Sequence, residues 1–176
     1  MVGMPGAGKS TIGVLLAKET SLKFLDVDVY MQGCESRRLQ DIIDKEGIVY
    51  FKELEEICLT TLDLTHHVIS TGGSAIYSTK GIAHLKKTSV CIFLKVSLKT
   101  LEKRLGDFST RGVVIQEGQS FEDLFNERNR LYSEAADLIV ECDEKTQEEI
   151  TLEIIECIIK HSLSVYLCSL TFWDRV

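Results

Sequence analysis

The stretch Gly3-Met4-Pro5-Gly6-Ala7-Gly8-Lys9-Ser10-Thr11 constrains this chain more than any other. It matches G-x-x-x-x-G-K-[ST], a phosphate-cradling loop that follows a buried strand and opens a helix. Gly3, Gly6 and Gly8 let the backbone curl until successive N–H groups point inward, where a side chain would collide with phosphate oxygens. A helix starting near Lys9 aims its positive dipole end at the same place. Lys9 can then reach the β- and γ-phosphates of ATP, and the Ser10 hydroxyl can ligate Mg²⁺. The nucleotide-binding set is therefore Gly3, Gly6, Ala7, Gly8, Lys9, Ser10 and Thr11, with Ser10 also a metal ligand. Average residue frequencies would place these four fixed positions together by chance in roughly one chain of this length in a few hundred. The amphipathic run Ile12, Leu15, Leu16 follows, as the motif's context requires.

Composition narrows the class. A chain of 176 residues suffices for one domain with a real core and is short for two. Net charge is −7, with no basic stripe, which argues against a nucleic-acid partner. The six cysteines form no C-x-x-C pair and lie among apolar neighbours. They read as reduced core thiols of a cytoplasmic protein, not as a disulfide framework or zinc site. No signal peptide fits, because the chain opens directly on the phosphate loop. The loop should follow a buried strand of about five residues. Only Met1-Val2 stand before it, leaving two readings: a very short strand, or a start upstream of Met1.

Further along, short apolar runs alternate with helical periodicity. Leu22 to Asp26, Val68 to Ser70, Val90 to Leu94 and Leu138 to Val140 read as strands. Between them, helices are expected from Lys9 to Glu19, around Leu39, Ile42 and Ile43, again from Ile48 to Leu64, from Gly81 to Lys87, and from Ser97 to Leu105. Ser120-x-x-Asp123 and Thr146-x-x-Glu149 are capping-box starts for two more. The pattern predicts an α/β fold, a parallel sheet of about five strands with a possibly truncated first strand, covered by helices on both faces. One domain is expected over residues 1–161, with a mobile lid at about 106–119, where glycines replace apolar periodicity. Residues 162–176 form an apolar tail, too short to span a bilayer as a helix. It reads as an element packed on the domain, a dimer contact or a membrane-surface anchor; the protein is expected to be a monomer, or a dimer through this tail.

Two further signals carry chemistry. Asp26-Val27-Asp28 closes a strand at its carboxyl end, where parallel sheets place ligands. One acid suits Mg²⁺, through water, and the other accepts a hydrogen bond from a hydroxyl about to attack a γ-phosphate. The alternative is a helix N-cap beside a solvated carboxylate. Arg104, Arg111 and Arg128 lie in or beside the lid, where a guanidinium can cover the charge that develops in phosphoryl transfer.

The order of motifs resembles the shikimate kinase family over roughly Gly3 to Ile159. It runs through the phosphate loop, Asp26-Val27-Asp28, Phe51-Lys52-Glu53-Leu54-Glu55, Thr71-Gly72-Gly73-Ser74, Thr110-Arg111-Gly112 and Glu127-Arg128-Asn129-Arg130-Leu131-Tyr132. The resemblance implies a P-loop kinase that uses ATP and Mg²⁺ to phosphorylate shikimate at its 3-hydroxyl, in aromatic amino acid biosynthesis. It implies Asp26 in the metal's outer shell and Asp28 at the acceptor's ring hydroxyls. Gly72, Gly73 and Ser74 would wall the acceptor, Arg111 would fold over the transferred phosphate, Arg128 would bind the acceptor carboxylate, and Arg104 would stack on adenine. The catalytic set is then Lys9, Asp28 and Arg111.

Four positions depart from the family pattern. Lys52 stands for an arginine, keeping charge but losing the bidentate fork. Ser74 replaces the third glycine of G-G-G, Gly112 the lid proline, and Arg130 the proline after Asn129. These leave the nucleotide side intact and open two other readings. One is a kinase of this fold for another small alcohol, such as a sugar acid; the other is a catalytically silent nucleotide-binding module.

Overall fold

The structure, a computed structural model, describes residues 1–105 and 118–173, with the side chains of 105 and 163–173 excepted. Residues 106–117 of the expected lid, with Arg111 and Gly112, thus lie outside the described residues. Element order is α1 (Lys9–Thr20), β1 (Lys23–Asp26), α2 (Val27–Glu35), α3 (Leu39–Thr61), β2 (His67–Ser70), a 3-10 turn (Ala75–Tyr77), α4 (Thr79–Lys86), β3 (Ile92–Lys95), α5 (Leu98–Leu105), α6 (Phe121–Ala135), β4 (Leu138–Glu141) and α7 (Gln147–Trp173). Strand β1 pairs with β2 and β3 with β4, both in parallel.

The N-terminal pair Met1-Val2 joins these halves. On one side Met1 N donates to Ile69 O, and Thr71 N to Met1 O at 3.2 Å. On the other, Val2 N donates to Ile92 O at 2.8 Å and Leu94 N to Val2 O at 3.0 Å. The order across the sheet is therefore β1, β2, Met1-Val2, β3, β4, the five-strand arrangement expected, with Met1-Val2 at its centre.

Local sequence explains most boundaries. α1 starts at Gly8, whose φ of 98° needs a residue without a Cβ. No side chain caps it, so its first N–H groups remain available for a ligand. Asp26 N-caps α2, its Oδ1 accepting from Asp28 N at 3.0 Å and Val29 N at 3.3 Å. α6 has the reciprocal capping box of Ser120 and Asp123, and Thr146 with Glu149 does the same for α7. α3 bends at Gly47, where φ is 84°. α7 continues to Trp173, through the segment read above as a separate tail.

The main core packs α1, α6 and α7 on the strands through Ile12, Leu16, Phe93, Leu94, Leu124, Tyr132 and Ile154. A second cluster of Val27, Met31, Phe51, Leu59 and Ala75 fixes α2 and α3 beside it. Because the strands run parallel, Val2, Asp26 and Ser70 all end at one edge, and the loops they feed meet there. Among the described residues no helix is long and apolar enough to cross a membrane.

Candidate active site

A cavity of about 1100 Å³ opens at that edge. The phosphate loop from Pro5 to Ile12 forms one wall. Asp28, Thr71, Gly72, Gly73, Ser74 and Arg128 form the other, with Arg104 and the start of α7 at one end. The structure thus brings together nearly all of the expected residues. Gly3, Asp26 and Lys52 are not among its lining residues.

On the loop side, Gly3 has φ of 149° and lies so close to β3 that a Cβ would come 2.9 Å from Leu94 O. Lys9 is only 8% exposed and donates to Gly3 O at 2.9 Å and Met4 O at 3.1 Å. The loop's own carbonyls hold its ammonium where a phosphate would sit. Burial lowers the Lys9 pKa to about 8, partly offset by Asp28. Ser10 Oγ donates to Asp26 Oδ2 at 2.5 Å. Asp26 thus takes the N-cap role considered for it through one oxygen, while the other accepts from the Ser10 hydroxyl. Arg104 reaches across from α5 to Gly6 O at 3.3 Å.

The acceptor wall is tightly built. A Cβ on Gly72 would fall 2.6 Å from Asp28 Oδ1 and 2.7 Å from Glu55 Oε1. One on Gly73 would meet Pro5 Cδ at 2.9 Å and Arg128 at 3.1 Å. Only glycine leaves these carboxylates and the loop room to converge. Tyr132, stacked on Phe93 with centroids 5.1 Å apart, braces the wall by donating its hydroxyl to Gly73 O at 2.6 Å. Arg128 is 1% exposed.

Carboxyl groups here are biased toward the protonated form. Burial raises the Asp28 pKa, opposed by Lys9. Glu55 is 1% exposed and pushed up to about 7, chiefly by burial, with a hydrogen bond from Ser74 acting against it. Its Oε1 has no hydrogen-bond partner among the described residues. Ser74 therefore both lines the cavity and serves the carboxylate behind it. Lys52, expected at the acceptor, has its ammonium 4.7 Å from the centroid of the Tyr77 ring. Arg130 is harmless to the site, pairing with Glu134 one turn along α6 on an exposed face.

Sequence reading missed two residues. Glu55 lay inside a quoted motif, and its apolar neighbours on α3 were the available sign of burial. Tyr77 carried no signal beyond its place after Ser74.

The shikimate kinase family model matches residues 5–159. The chain belongs to the shikimate kinase family. A shikimate kinase of Sulfurihydrogenibium is 33% identical over 156 residues, 88% of this chain and 93% of that one. One from Clostridium botulinum is 32% identical over 164 residues, 92% of this chain and 96% of that protein. Among solved structures, the shikimate kinase of Acinetobacter baumannii in complex with shikimate superposes with a TM-score of 0.85 at 28% identity, over 92% of each chain. That of Aquifex aeolicus gives 0.81 at 31% identity, over 92% of this chain and 96% of that one. The shikimate kinase fold is thus retained despite the two-residue central strand.

Proposed function

We propose that this chain transfers the γ-phosphoryl group of ATP to the 3-hydroxyl of shikimate, a step in aromatic amino acid biosynthesis. The observation that carries the reading is the meeting of phosphate loop, Asp28, Gly72-Gly73 and Arg128 around one cavity, within a chain of this family.

Asp28 accepts the proton of the attacking hydroxyl, and burial makes it a better base than a free aspartate. That oxygen forms the new P–O bond as the β–γ anhydride bond breaks, and ADP leaves with the electron pair. Lys9 exchanges its two carbonyl partners for phosphate oxygens. Arg128 binds the acceptor carboxylate, and the Gly72-Gly73 wall lets the ring approach the backbone. Arg104 flanks the adenine, and Arg111 covers the transferred group. Exclusion of water keeps ATP from hydrolysis.

The donors fit Mg²⁺. Ser10 and Asp26 are hard oxygens already paired at the loop's end. When bound, Mg²⁺ would neutralise charge between the β- and γ-phosphates.

A coupled ADP-release assay tests the reading, and the expected result is shikimate-dependent release. Release no higher than the acceptor-free background would overturn it. Because Lys52 does not line the cavity, a second acid acceptor is the rival; a panel of hydroxy acids and sugar acids separates the two.

A further inference from the structure

Glu55 is 1% exposed on α3, and its Oε1 has no hydrogen-bond partner among the described residues. An ionised carboxylate buried in this way is costly, whereas the neutral acid carries no charge and has a proton of its own to donate. The surrounding charges compensate only in part. From α2 comes Asp28, a like charge. A Cβ on Gly72 would fall 2.6 Å from Asp28 Oδ1 and 2.7 Å from Glu55 Oε1, so the two oxygens face one point. On α3 itself, Lys52 Nζ lies over the Tyr77 ring, 4.7 Å from its centroid. α4 presents Lys80 and His84, which go to Glu56 and to Leu62 O. Lys9, on α1, gives its protons to the carbonyls of Gly3 and Met4. Tyr132 and Cys58 beside it are raised by burial and stay neutral. Ser74 and Arg128 of α6 act against burial at Glu55, yet burial prevails and leaves its pKa at about 7.

We propose that Glu55 serves behind the acceptor wall as a neutral carboxylic acid, a positioning residue that spares Asp28 a like charge, and that acceptor binding draws a proton onto it. The inference rests on the phosphotransferase reading above, in which Arg128 takes the acceptor carboxylate. Once Arg128 is engaged by that anion, less of its charge reaches Glu55, and Glu55 holds its proton more tightly. Its pKa is then higher in the complex than in the free protein. Acceptor affinity is therefore complete below about pH 7 and falls as pH rises past it.

The test measures shikimate binding by calorimetry without nucleotide, so that Lys9 keeps its carbonyl partners. Kd is expected to rise about tenfold between about pH 6 and about pH 8.5, and buffers of differing ionisation enthalpy should show proton uptake across that range. Glu55→Gln has no proton to titrate, so its profile should be flat to within about threefold, without that uptake. Glu55→Ala should bind shikimate about tenfold more weakly than wild type. The glutamine variant should recover most of that loss, because its amide keeps the shape and neutrality of the acid. Infrared titration of the ligand-free protein needs no variant to fold. It should show the carbonyl band of a neutral acid at about pH 6, fading as pH rises through about 7. Affinity that stays level or climbs with pH, a missing band, or a glutamine variant as weak as the alanine one would overturn the role of Glu55 alone. A wild-type protein that does not bind shikimate would overturn the phosphotransferase reading and the proton linkage with it, whatever the infrared band shows.

Discussion

At the phosphate loop the ligand-facing groups are backbone N–H donors at the uncapped start of α1, aimed by the positive φ values of Gly6 and Gly8. At the acceptor wall they are side chains drawn from α2, α3, α6 and the Tyr77 turn, held by mutual burial of charge. The first depends on a short contiguous stretch of sequence, so it tolerates change elsewhere in the chain. The second depends on residues up to a hundred positions apart, each sized to its neighbours. That contrast explains why departures from the family pattern gather at the acceptor and lid and spare the nucleotide side. Ser74 lies beside the buried Glu55, whose pKa it helps to hold down, and Lys52 rests on Tyr77.

The comparison can be pressed from either side. The largest effect is expected at Lys9, the one side chain on which the backbone cradle depends. Lys9→Met should lower kcat/KM by roughly 10³-fold, as losing a charged transition-state donor does. The ADP-release assay reads it; a loss under tenfold would show that the backbone alone carries the phosphate.

Next comes Gly72→Ala, which pushes a methyl against Asp28 and Glu55. Overpacking of this kind costs about 1–3 kcal/mol. The acceptor KM should rise roughly tenfold or more, while the nucleotide KM stays put. A rise in both constants would mean that the two walls are not independent.

The third test uses pH. With Lys9 at about 8 in the free protein, binding below that pH meets an ammonium already charged. Above it the phosphate must first recharge the amine, so nucleotide affinity falls as pH rises, by up to about tenfold per unit. Calorimetry in buffers of differing ionisation enthalpy should show proton uptake above about pH 8, vanishing in Lys9→Met.

The smallest effect separates the two duties of Asp26. Asp26→Ala should cost about 1 kcal/mol of stability through the lost cap of α2. Asp26→Asn should restore thermal stability, because asparagine caps well, without restoring Mg²⁺-dependent turnover. Recovery of both would leave Asp26 a purely structural residue.

Most of the fold was legible because its signals are local. Strand composition, Ser120 with Asp123 and Thr146 with Glu149 each act within a few residues, and the structure has the corresponding elements. Helix α2 escaped notice because only Val27 and Met31 of its nine residues are buried, too few for a period. At the site, Lys9 and Ser10 were legible from motif spacing, whereas Asp26 and Asp28 gained their reading only from lying at a strand end beside the phosphate loop. The direction of Lys52 was not, since it depends on Tyr77 from another element. Burial of Glu55 was equally hidden, because its neighbours Ser74, Asp28 and Arg128 come from three other parts of the chain.

The seam at Met1-Val2 bears on how the molecule comes apart. Two strand pairs, each with its own helices, are laced together by hydrogen bonds that span from Met1 to Ile69 and from Val2 to Ile92. Contacts so distant along the chain close late in folding, after local units have formed. The amides of Val2, Thr71 and Leu94 should then exchange with solvent as one group, ahead of the buried strands on either side. Gly3 follows directly on that lacing, so a nucleotide that orders the phosphate loop should also slow exchange there. The ligand would act as a clasp between the two halves of the sheet.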